Sequence, residues 1–107
     1  MAWVLLTISI ITEVLGTVAL KFSNGFADWK ASVVVFTAYI LSFVLLGLAL
    51  KGIELSTAYA IWAGVGTALI AVIGFLYFNE PATTLKLVSI VLIVLGVVGL
   101  NLADRIA

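Results

Sequence analysis

Very few side chains in this sequence can do chemistry. The 107 residues include five Asp or Glu, five Lys or Arg, no His and no Cys. Disulfides, thiolate chemistry and cysteine-based metal sites are therefore excluded together. A net charge of zero excludes a basic nucleic-acid binder. Glu13 is the unusual residue, because it interrupts an otherwise apolar run from Trp3 to Leu20. About ten residues into a helix, at 1.5 Å each, it falls roughly 15 Å deep, near the middle of a hydrocarbon core about 30 Å thick. A charge there costs about 2.5–3.5 kcal/mol or more, and the side chain is too deep to snorkel. Lys21 lies about 12 Å further along the same helix and cannot neutralise it directly. Such a carboxyl requires a proton, an ion or a cationic substrate as counter-charge. The bland alternative is a protonated Glu that hydrogen-bonds across a helix interface.

The neighbours of Glu13 favour the chemical reading. Ser9 and Thr17 lie one turn to either side, and Gly16 lies three residues on, so one helix face is small and polar. That strip reads as the lining of a water-accessible cavity. Tyr59 and Trp62, three apart, share a face of another helix, while Tyr39 and Phe43, four apart, share a third with Ser42 beside them. Aromatic faces attract cations, most strongly in a dry site, and Trp does so best. A carboxylate with aromatic walls suits a hydrophobic organic cation. The alternative for these rings is plain packing or lipid contact, above all for Phe43. One carboxylate without a nucleophile, base partner or metal cluster does not make a catalytic site, so neither enzyme activity nor a cofactor is expected.

These groups must be positioned by membrane-spanning helices. The chain is 65% hydrophobic and 9% charged, with a mean hydropathy of +1.40, against about 45–50% and about 25% for a soluble domain. A chain this small cannot bury so much apolar surface in one core. The charges divide it into spans at about 3–20, 32–50, 55–78 and 85–103, a single domain over 1–107 of all-α membrane class. Ser23-Asn24-Gly25 predicts a turn with positive φ. Lys51-Gly52-Ile53-Glu54 predicts a tight helical hairpin. Asn79-Glu80-Pro81 closes the third span, and Pro81 fits the first position of the fourth helix with Glu80 at its positive end. Trp3, Trp29, Tyr77 and Phe78 fall where an aromatic belt belongs. The first span has no basic flank or cleavage site and is expected to be retained.

With four spans, Lys51 and Arg105 fall on one side and Lys21, Lys30 and Lys86 on the other. So even a distribution leaves both orientations open. Gly64 and Gly66 follow Trp62 and allow either a hinge or close packing. Ser89, Gly96 and Ala103 recur every seven residues, a small-residue stripe suited to an oligomer seam. At least two copies are expected.

Thr12-Glu13-Val14-Leu15-Gly16-Thr17, with Leu20-Lys21-Phe22-Ser23-Asn24-Gly25-Phe26, resembles the first helix and loop of small multidrug resistance transporters. Ala58-Tyr59-Ala60-Ile61-Trp62-Ala63-Gly64-Val65-Gly66 is similar to that family's third-helix signature, and the likeness covers essentially the whole chain. The resemblance implies a bacterial inner-membrane antiporter that exports cationic compounds against protons as an antiparallel dual-topology homodimer. It implies that Glu13 binds proton and substrate in competition. Tyr59 and Trp62 would hold the substrate; in the exchange expected here both stack on it and Tyr59 also hydrogen-bonds a carboxylate. Leu6, Ser9, Ile10, Gly16, Thr17, Tyr39, Ser42 and Phe43 would complete the pocket. Ser89, Leu92, Ile93, Gly96 and Val97 correspond to the family's dimer motif, whose first position is usually Gly rather than Ser. Ala31 and Glu54 stand where the family often carries proline. Guanidinium exporters of the family typically carry Trp where Gly16 stands, so Gly16-Thr17 looks like the roomier quaternary-ammonium type. A guanidinium exporter, or a non-transporting accessory subunit in which Glu13 glues helices together, are the competing expectations.

Overall fold

The computed structural model describes residues 1–106, with side chains described through Ala103. Arg105, one of the basic residues in the orientation count, lies outside the described side chains. The described chain is four helices: α1 (Ala2–Phe22), α2 (Trp29–Ala49), α3 (Leu55–Tyr77) and α4 (Thr84–Ile106). All four are long and apolar enough to cross a membrane.

Helix ends are set by local hydrogen bonding, and this moves several boundaries from their expected places. α1 runs on through Lys21 and Phe22, where a lysine in the last turn suits the negative end of the helix. It stops as expected at Ser23, followed by positive φ at Asn24 (50°), Gly25 (67°) and Phe26 (71°). The buried Ser23 hydroxyl bonds the Leu20 carbonyl at 2.7 Å and accepts from Phe26 N–H at 3.1 Å, which fastens the turn. α2 begins three residues early because the Asp28 carboxylate accepts from the N–H groups of Lys30 (3.0 Å) and Ala31 (3.3 Å).

The start of α4 corrects the expectation for Pro81. Pro81 precedes the helix rather than opening it. Thr83 caps α4, its hydroxyl accepting from Lys86 N–H at 3.2 Å. Glu80 does not serve the positive end of α4. Asn79, at φ 54°, turns the chain so that Glu80 N–H bonds back to the Gly74 carbonyl at 3.0 Å.

α1 packs along α2 and against α3, and α3 in turn carries α4. The order α2–α1–α3–α4 fits the molecular extents of 47 × 35 × 16 Å, because helices spaced about 8–10 Å apart fill that width as a row. The buried core is correspondingly thin. Leu6, Ile10 and Val14 of α1 meet Ala49, Ile53, Ala58 and Ile61. The membrane-spanning part of α4 has no buried residue at all.

Candidate functional site

Glu13 projects from α1 toward α3 and is half-buried. Thr17, one turn on, donates its hydroxyl proton to Glu13 Oε1 at 2.9 Å. The same hydroxyl lies 2.7 Å from Tyr39 Oη. A hydroxyl has one proton to give, so Tyr39 donates to Thr17, which donates to the carboxylate. Tyr39 reaches this position because Gly16 has no side chain: a Cβ there would stand 2.8 Å from the tyrosine ring. The other carboxylate oxygen rests on α3 at Gly66, where a Cβ would lie 3.1 Å away. Among the described residues Glu13 makes no ion pair.

A second polar cluster lies behind the carboxylate. Ser9 and Ser42 are fully buried. Each donates its hydroxyl to the other's carbonyl at 2.7 Å, tying α1 to α2. Trp62 Nε1 donates to Ser9 Oγ at 3.0 Å, which brings α3 into the same knot and fixes the indole. Ser9 was expected to line a wet cavity and Ser42 to stand beside the aromatic rings; instead they satisfy one another, since an unpaired hydroxyl in hydrocarbon is costly. The Trp62 ring stacks on Tyr59 (centroids 6.0 Å, 25°) and meets Phe43 at a tilt (5.7 Å, 43°). Tyr59 and Phe43 are each 60% exposed, so this aromatic group is open on one side.

Glu13, Thr17 and Trp62 line a cavity of about 440 Å³ together with Ala63, Gly66, Thr67, Ile70 and Ala71. That volume lies within the usual range for small-molecule pockets, about 300–1,000 Å³. Sequence reading missed Ala63, Thr67, Ile70 and Ala71. Their signal was the four-residue spacing of Trp62–Gly66–Ile70 and Ala63–Thr67–Ala71 on one helix face.

Several expected residues lie elsewhere. Leu6 and Ile10 are buried in the core and line a separate cavity of about 580 Å³ between α1, α3 and α4. Among the described residues Tyr59 makes no hydrogen bond to a carboxylate; the tyrosine linked to Glu13, through Thr17, is Tyr39. α3 is unbroken through Gly64 and Gly66. A Cβ at Gly64 would stand 2.7 Å from Val97 and 3.2 Å from Ile93, so this glycine seats α4. The expected dimer residues therefore divide. Ile93 and Val97 pack on α3, whereas Ser89, Leu92 and Gly96 are exposed.

The family model described as Small Multidrug Resistance protein matches residues 1–93. The chain belongs to the small multidrug resistance family. A relative from Bacillus atrophaeus, multidrug resistance protein EbrA, is 48% identical over 92% of this chain and 94% of its own. A guanidinium exporter of Escherichia coli K12 is 41% identical over 98% of this chain and 100% of its own. An uncharacterized membrane protein of Bacillus subtilis, YvaE, is 46% identical over all of this chain and 90% of its own. This small multidrug resistance protein is thus a multi-pass membrane protein and a transporter rather than an enzyme. Within it, the carboxylate, the hydroxyl relay and the aromatic group come from α1, α2 and α3, and no described side chain of α4 lines the Glu13 cavity.

Proposed function

We propose that this protein exports hydrophobic and quaternary-ammonium cations across the bacterial inner membrane in exchange for protons, as an antiparallel dual-topology homodimer. The observation that carries the reading is Glu13, which among the described residues has no cationic partner and lines a 440 Å³ cavity walled by Trp62. A lipophilic cation placed there is held by the carboxylate and by the indole face. Protons and cations compete for the same carboxyl, and that competition couples their opposite movements. A proton on Glu13 expels the cation on the outside, and a cation arriving from inside expels the proton. Thr17 and Tyr39 hold the carboxylate in place and solvate its charge while the cation is bound.

Gly16 supports the quaternary-ammonium type. A bulky residue there would push Tyr39 away from Thr17 and fill space beside the carboxylate. The relative named guanidinium exporter favours a second reading, in which the cargo is the small planar guanidinium ion.

Adding tetraphenylphosphonium to the purified protein in weakly buffered detergent tests the exchange. Binding is expected to release protons, and affinity to fall as pH falls, because protons then occupy Glu13. Glu13→Gln is expected to abolish both effects. A wild-type protein that binds the cation without releasing protons overturns the reading. Parallel uptake into proteoliposomes separates the two cargoes: transport of guanidinium without tetraphenylphosphonium selects the second.

A further inference from the structure

Glu80 has no place in the exchange described above, yet its position is unusual. Its backbone is turned by Asn79, and its carboxylate is folded back onto α3 at Gly74, where any Cβ would collide with it. This is the negative end of α3, where the helix dipole disfavours an anion. Among the described residues the carboxylate makes no hydrogen bond or ion pair. Two lysines are close enough to line the same spaces. Lys21 shares with Glu80 a cavity of about 140 Å³ between α1 and α3, and Lys86 shares with it one of about 450 Å³ between α3 and α4. Lys21 instead sits over the Phe78 ring, 5.9 Å from its centroid.

Both cavities adjoin the Glu13 site. The smaller has Thr17 and Ile70 in common with it, and the larger has Thr67 and Ala71. Glu80 therefore lines two cavities, at this end of the helices, that each share wall residues with the Glu13 cavity. Without its charge, a cation approaching there would face two ammonium groups.

We propose that Glu80 is a steering carboxylate at this mouth, which offsets Lys21 and Lys86 and draws lipophilic organic cations toward Glu13. This rests on the reading that such cations bind at Glu13. Gly74 is the companion residue, because a Cβ there would collide with the carboxylate in this position. A charge that acts at the mouth changes how fast cations arrive and how salt affects that rate. It does not change what happens at Glu13.

Stopped-flow binding of tetraphenylphosphonium to the full-length protein at low and high salt reads this out. Glu80→Gln is expected to slow association about tenfold at low salt, with the difference shrinking at high salt and the protons released per bound cation unchanged. Lys21→Gln is expected to speed association. Gly74→Ala keeps the charge but displaces it, and is expected to slow association less than Glu80→Gln. Association by Glu80→Gln at the wild-type rate and salt dependence, with proton release intact, overturns the steering role and leaves the Glu13 exchange standing. Wild-type binding without proton release overturns both.

Discussion

Glu13 is held by hydroxyls on one side and by a missing side chain on the other. Thr17 donates to one oxygen, and the second lies over Gly66. The Ser9–Ser42 pair then fixes the distance between α1 and α2 and, through Trp62, the aromatic wall. Interhelical hydrogen bonds in membranes contribute about 0.6 kcal/mol on average and up to about 1.7. Because each hydroxyl bonds a backbone carbonyl of the other helix, Ser9→Ala and Ser42→Ala are each expected to lower stability by about 1 kcal/mol. Unfolding in mixed micelles measures both losses, and a variant as stable as wild type would mean that its bond is idle. Glu13, Thr17 and Trp62 were legible in the sequence because depth and helical period are one-dimensional facts. The part played by Tyr39 was not, because it depends on a ring crossing from α2 onto Gly16. The bonding of Ser9 was not legible for a similar reason. Polarity on a helix face does not say whether water or another helix satisfies it.

At the scale of elements, charge placement was enough to find four spans, because hydrocarbon tolerates so few charges within a helix. The ends depended on caps. Asp28 extends α2 through two hydrogen bonds and Thr83 caps α4 through one, and hydropathy registers none of them. Packing between α3 and α4 turns on Gly64, which Val97 and Ile93 approach closely. A larger residue must push α4 outward, and overpacking of this kind costs about 1–3 kcal/mol. Gly64→Leu is therefore expected to lower stability by that amount in the same mixed-micelle assay. It should also loosen the 580 Å³ cavity, which Val97 lines. Stability equal to wild type would show that the glycine serves bending alone and not the seating of α4.

The whole molecule is a slab, and its outer helix has no buried residue in its span. Lipid covers apolar side chains as well as protein does, so the exposed Leu92 and Leu95 do not by themselves ask for a partner. The small residues are more telling. Ser89, Gly96 and Ala103 form an exposed stripe, and a Cβ at Gly96 would meet nothing within 4 Å. Small residues let helix backbones approach closely, and among the described residues nothing in one copy approaches Gly96 in that way. Gly96 thus separates folding from assembly in a way Gly64 cannot. Gly96→Trp is expected to leave the fold of each copy intact while weakening the proposed homodimer by at least about tenfold in Kd. Single-molecule photobleaching in vesicles, diluted over a range of protein-to-lipid ratios, reads the two-copy fraction directly. If the stripe is the seam, the substitution shifts that fraction to lower values, and proton release on cation binding falls with it, because the open side of the aromatic group then has no second copy to close it. An unchanged two-copy fraction would move the seam away from α4, to the exposed face of α2 and α3 that carries Phe43 and Tyr59.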